Sequence, residues 1–265
     1  MKRILLATVI VLSLVVSFFG TAQAVTDGEL DGEGHPFVGL MVAQDEDGTP
    51  LWRCSGTLIS SRLFLTAGHC TEAPAAHAEI WFDADVTNAT AQNYPFKGDV
   101  GGDTYTHPQY NPNAFYLFDL GVVVLDKPFK MSQYGVLPGL NVLDTLATQR
   151  GKQDVTFTAV GYGLQMSFPD AASWKENNVR IRMVAHPKLD QINGGLVGDF
   201  SLLLSNNANT GGTCFGDSGG PNFIGTSNTI AGVTSFGLNG TCGGTGGVYR
   251  VDRADDLNWL ATFLD

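Results

Sequence analysis

The chain has 265 residues, with 26 acidic against 15 basic side chains and a formal charge of −11. That balance excludes nucleic acid as a natural partner, because phosphate binding depends on clustered Lys and Arg, and it reads instead as a soluble face. The length suits one large all-β unit or two small packed domains, either able to bury a substantial core.

In chain order, Lys2 and Arg3 precede an uncharged run from Ile4 to Phe19 and the small-x-small sequence Ala22-Gln23-Ala24. The run is shorter than the roughly 20 residues of a membrane span, so residues 1–24 are expected to be a secretory signal cut after Ala24. The product is then secreted, with no stable membrane association. Short apolar runs follow between turn residues: Phe37–Ala43, Ser55–Ser60, Ile80–Phe82 and Leu120–Leu125. After a weakly patterned stretch from Asp126 to Gln153 come Val155–Val160, Val179–Val184, Ser201–Leu204, Ile230–Ser235 and Gly247–Val251. Such recurrent short strands point to a sandwich or barrel. The weak stretch is the expected connector, which divides the chain into units 25–140 and 141–265. A terminal helix is expected after a capping Asp252, with Leu257, Leu260, Phe263 and Leu264 on one face.

Cys54, Cys70, Cys214 and Cys242 are even in number in an exported chain and favour two disulfides, with three connectivities open. Pairing neighbours would give Cys54–Cys70 and Cys214–Cys242, each worth about 3 kcal/mol through loop entropy. No cysteine pair has zinc-ligand spacing and no phosphate loop is evident, so neither metal nor cofactor is expected. Asn88-Ala89-Thr90 and Asn239-Gly240-Thr241 fit the glycosylation pattern, a weak signal.

Gly216-Asp217-Ser218-Gly219-Gly220-Pro221 carries the most chemistry. Glycines flanking a serine permit a tight turn that exposes the hydroxyl and turns N–H groups outward. The stretch also fits the nucleophile elbow of α/β-hydrolases, but in that fold the catalytic histidine follows the serine. Here His35, His69, His77, His107 and His186 all precede Ser218. The best base is His69, in Thr66-Ala67-Gly68-His69-Cys70. Asp119 heads the apolar run Leu120–Leu125, where a buried carboxylate needs a partner that an imidazole N–H can supply. Asp126 is the fallback acid.

Together, TAGHC, DLGVVVL and GDSGGP resemble the three motifs of the chymotrypsin/trypsin family, in that family's His–Asp–Ser order and across nearly all of residues 25–265. The resemblance implies an all-β fold of two six-stranded antiparallel barrels packed face to face, with a C-terminal helix. It implies a serine endopeptidase in which Ser218 attacks the scissile carbonyl, His69 moves the proton and Asp119 orients His69. Gly216 and Ser218 would supply oxyanion-hole N–H groups, and the cysteines stand where the family commonly bridges. The primary pocket would have Gly212 at its base with Thr213, Ser235, Phe236, Gly237, Gly247 and Tyr249 around it. Lacking a carboxylate there, it suits an apolar or aromatic side chain better than Arg or Lys. Ser235 would hydrogen-bond Asp119, and Phe236, where the family usually has Trp, would flank the substrate. Asp217 would pair with the α-amino group of the mature N-terminus. The chain departs from the family's usual Ile/Val-Val-Gly-Gly start, and signal removal itself would free Val25 for that pairing. Expected partners are polypeptide substrates and proteinaceous inhibitors, with the protein a monomer. A non-catalytic binding protein on the same fold is the alternative, followed by an esterase using the same triad.

Overall fold

The computed structural model describes residues 25–114, 116–147, 154–165, 179–195 and 197–264. The leader expected over residues 1–24 lies outside them, as does the end of the connector at 148–153.

A two-residue strand, β1 (Glu29–Leu30), comes first. The chain then forms β2 (Val38–Gln44), β3 (Pro50–Leu58), β4 (Leu63–Thr66), β5 (His77–Trp81), β6 (Val100–Thr106) and β7 (Gly121–Leu125). These six close into an antiparallel barrel in the order β2-β3-β4-β7-β6-β5. All of β2 is buried because Val38, Met41 and Ala43 join the main core while Leu40 and Val42 pack with Trp81 and Tyr162 on its other side.

The second half contains β8 (Phe157–Gly161), β9 (Met183–Ala185), β10 (Leu189–Ile192), β11 (Ser201–Asn206), β12 (Pro221–Ile224), β13 (Ile230–Gly237) and β14 (Gly244–Arg250). Joined by β1, they form one eight-stranded sheet in the order β1-β9-β8-β12-β13-β14-β11-β10, curled into a half-barrel. The expected all-β pairing of two halves is therefore present, but the second half is a half-barrel of eight strands rather than a closed barrel of six. The extra edge arises because β1 crosses from the N-terminal segment to pair with β9. A short helix, α1 (Gly68–Thr71), follows β4, and α2 (Ala254–Ala261) ends the fold.

The expected helix exists, but its cap does not. Arg253 is the residue at the N-cap, whereas the Asp252 carboxylate accepts hydrogen bonds from Arg250 and the Leu143 N–H. The charge is thus committed to a buried arginine. Leu260 is buried, while Leu264 at the chain end is exposed. Both neighbour disulfides are formed, Cys54–Cys70 and Cys214–Cys242.

One core cluster runs through both halves, from Phe37, Met41 and Phe64 to Phe223, Val233, Tyr249 and Leu260. A buried ion pair helps lock the seam. Arg182, 1% exposed, donates from Nε to Asp31 at 2.8 Å and from its other nitrogens to the carbonyls of Val38, Phe82 and Gly32 and to the Tyr162 hydroxyl. Shortening it would take this donor from the Gly32 and Phe82 carbonyls and leave the Asp31 carboxylate with only His35 as a partner. Arg182→Met should lower the unfolding free energy by about 3–5 kcal/mol in urea denaturation, because Asp31 then stays buried without its cation.

Candidate active site

His69 sits on α1, at the open end of β4, entered from an extended Ala67. Asp119 lies just before β7 and is fully buried. Two groups of His69 meet this carboxylate: the backbone N–H donates to Oδ1 at 2.8 Å, and ring Nδ1 lies 2.9 Å from Oδ2. A carboxylate accepts only, so Nδ1 carries the hydrogen and Nε2 is left without one. Ser235, on β13 of the other half, donates its hydroxyl to Asp119 Oδ2 at 2.5 Å. The imidazole is thus held in one tautomer from both sides of the seam.

Burial works against the charged imidazole, but the adjacent Asp119 charge and hydrogen bond outweigh it, with a smaller push from Glu72, and the His69 pKa rises above its ordinary 6.5. Tyr110 beside them is pushed up by burial and by the same two acids.

Ser218 comes from the loop before β12, and its neighbours explain the loop's shape. The Asp217 carboxylate accepts the N–H groups of Gly163 at 2.7 Å and Cys214 at 2.9 Å. Ser55 of β3 donates its N–H to the Ser218 carbonyl and its hydroxyl to the Gly216 carbonyl. Gly219 has φ +77°, and a Cβ there would lie 2.0 Å from Thr66 Oγ1, so only glycine lets the loop come this close to the first barrel. Ser218 and His69, half-buried, line the same cleft between the halves.

That cleft holds about 460 Å³ and is lined on one side by Thr213, Ser235, Phe236 and Gly237. No carboxylate is among its lining residues. Gly212 and Gly247 are not lining residues. The Gly212 N–H is tied to the Thr26 carbonyl, and the Phe236 ring covers Gly247 so closely that a Cβ there would lie 2.4 Å from it. Tyr249 is buried and donates its hydroxyl to Asp256. Sequence reasoning missed Phe215, Thr234, Asn239, Gly240 and the disulfide's Cys242 as lining residues. Phe215, 44% exposed just ahead of Gly216, was signalled by a large apolar residue inside an otherwise small-residue motif.

The structure does not bring Val25 and Asp217 together as an ion pair. Residue 25 follows Ala24 in this chain and has no free amine; its side chain packs with Met183 and Ala185. Asp217, buried and held by two N–H groups, is pushed up to about 7, burial outweighing those bonds and the charge of nearby Arg53. As for metal ligands, Cys54, His69 and Cys70 lie together, but both sulfurs are in the disulfide. His77, Asp103 and Asp126 form another group, with both aspartates exposed. Asp126 lies after β7, away from His69's partner position.

A family model described as Trypsin matches residues 32–257. The chain is 25% identical over 247 residues to phenoloxidase-activating factor 3 of Holotrichia diomphalia, covering 85% of this chain and 68% of that one. It is 27% identical over 204 residues to the venom serine protease Bi-VSP of Bombus ignitus, covering 76% and 56%. Among solved structures, an HL collagenase superposes with TM-score 0.66 at 20% identity, covering 89% of this chain and 97% of the other, a likeness of fold.

The raised His69 pKa has a definite sign. A base that binds its proton more tightly when folded contributes stability fully below its unfolded value near 6.5, and that contribution is lost as pH rises through the folded value. Imidazole NMR of a Ser218→Ala protein should give a His69 midpoint above 6.5, returned toward or below it by Asp119→Asn. A midpoint at or below 6.5 with Asp119 intact contradicts the assignment.

Proposed function

The chain belongs to the trypsin family, and from that premise we propose that it is a secreted serine endopeptidase whose catalytic groups are Ser218, His69 and Asp119. The observation that carries this reading is the fixed imidazole: His69 is bonded twice to a buried Asp119, and its open face shares a cleft with Ser218.

In the first half-reaction the Ser218 hydroxyl attacks the scissile carbonyl while His69 Nε2 takes its proton. The imidazolium, balanced by Asp119, then gives that proton to the leaving amine. Water repeats the exchange: its proton goes to His69, its oxygen to the acyl carbon, and Ser218 regains a proton as the acid leaves. Charge on the tetrahedral oxygen is met by the N–H groups of Gly216 and Ser218, each worth about 3 kcal/mol in such sites. Among the described residues, neither N–H is committed to another protein acceptor.

The first cleft takes the side chain on the acyl side. Its apolar lining and lack of carboxylates favour an aromatic or large apolar residue, since a cation there would be desolvated without compensation. Phe236 and Gly237 flank that chain, and Gly212 and Gly247 shape the wall from behind.

Removal of residues 1–24 completes the site. Thr26 is already tied to Gly212, five residues before Asp217, and the buried Asp217 has local N–H partners but no cation bonded to it. A free Val25 amine would supply one. The substrates are polypeptides, met by a monomer outside the cell.

Active protein should begin at Val25, be labelled by a fluorophosphonate and cleave peptides after Phe, Tyr or Leu at least tenfold faster than after Arg or Lys, a ratio in the range that pocket chemistry gives. Ser218→Ala should abolish both labelling and cleavage. Correctly processed protein that resists labelling would instead be a binding protein, and a dominant Arg/Lys preference would refute the pocket assignment.

A further inference from the structure

A second cleft of about 460 Å³ opens on the other side of Ser218 and His69, with Trp52, Arg53, Cys54 and Gly216 in its lining. Phe215, Ser218 and His69 belong to both clefts. With the acyl-side residue in the first cleft and the scissile bond over Ser218, the segment after that bond must leave through the second. Its path continues past Trp52 and Arg53 into a smaller cleft of about 230 Å³ that includes Pro50 and Tyr94.

Arg53 stands at the junction, in both of these clefts. Among the described residues its Nη1 and Nη2 are buried without a close hydrogen-bond partner, while the Tyr94 side chain and the Asp217 charge give the guanidinium partial support. A guanidinium whose terminal nitrogens are left in that state is costly, and the two buried arginines, Arg182 and Arg250, are tied to carboxylates. The nearest acid does not take the role, since both oxygens of Asp217 are held by Gly163 and Cys214 N–H groups. Nη2 is close to Gly216, where an added Cβ would lie 3.1 Å from it. A second cation reinforces the field: Arg180 lies 4.5 Å over the Tyr94 ring, and its charge works against that of Arg53. Two arginines thus converge on one edge of the groove in a chain whose net charge is −11.

Resting on the endopeptidase reading above, we propose that Arg53 selects substrates carrying Asp or Glu at the first or second position after the scissile bond. A carboxylate entering the second cleft supplies paired acceptors once the flexible Arg53 side chain turns its nitrogens into that cleft, and Arg180 and Tyr94 mark the direction in which the anionic side chain lies. The match also makes the enzyme avoid Lys and Arg there, because a substrate cation would face two fixed ones.

The test uses peptides identical up to the scissile bond, with Glu, Gln or Lys at the first and second positions beyond it. For the mature enzyme, kcat/KM for the Glu peptide should exceed that for Lys by about tenfold or more, with Gln between. Arg53→Met should shrink that ratio to about twofold, and Arg53→Lys should retain part of it. A uniform fall for all three peptides, with the ratio kept, would make Arg53 a support for Asp217 and overturn the proposal. A second readout needs no turnover: binding of the same labelled peptides to Ser218→Ala protein, by fluorescence anisotropy, should favour Glu over Lys about tenfold. Adding Arg53→Met should remove that preference. Equal affinities in Ser218→Ala refute the subsite. Glu-selective binding by a protein that never cleaves would keep the subsite and refute the endopeptidase reading.

Discussion

Everything at this site depends on one carboxylate taken out of water. Asp119 is fully buried, and a charge there is tolerable only because donors surround it: the His69 backbone N–H, the His69 ring and the Ser235 hydroxyl. Two come from the first barrel and one from the curled sheet, so the carboxylate couples the halves as well as fixing the His69 ring. The same hydrogen bonds that make the carboxylate stable make the imidazole basic. Stability and chemistry are here one set of contacts.

A parallel set of contacts brings the serine. Ser55 on β3 reaches across the seam, donating its hydroxyl to the Gly216 carbonyl and its N–H to the Ser218 carbonyl, while its own hydroxyl oxygen accepts the Tyr162 N–H. Asp217 tightens the loop from within, and Thr66 of β4 bonds the Ser55 carbonyl. The loop is therefore shaped by polar groups of the opposite barrel, which gives a physical reason for a chemistry shared between two halves. Neither half could hold the hydroxyl and the imidazole in one cleft by itself.

How much of this is legible in the sequence depends on whether the signal is local. The residues around His69, Asp119 and Ser218 carry short motifs, and the structure puts His69 and Ser218 in one cleft with Asp119 buried against His69; neighbour pairing also gives both disulfides. The strands β1, β4, β6, β10 and β12 are not among the runs that the sequence singles out, for reasons that differ. β6 reads Val-Gly-Gly-Asp-Thr-Tyr-Thr, and its Gly102 is small because a Cβ would lie 2.3 Å from the Val124 carbonyl. Close strand approach therefore erased the apolar alternation that marks a strand. Long-range polar bonds left no local pattern either. Nothing near Arg182 in sequence announces Asp31, and Asp252 resembled a helix cap while serving Arg250. Arg53 belongs to no motif, and only the folded chain shows its two terminal nitrogens without close acceptors among the described residues.

If the Ser218 hydroxyl is the nucleophile made reactive by the held imidazole, its covalent acyl intermediate can be trapped. Mature protein mixed rapidly with an activated aromatic amino-acid ester, quenched in acid and mapped by peptide mass spectrometry should carry one acyl group per molecule, on Ser218. Ester hydrolysis with no adduct at that residue, or with the acyl group on another side chain, would contradict it.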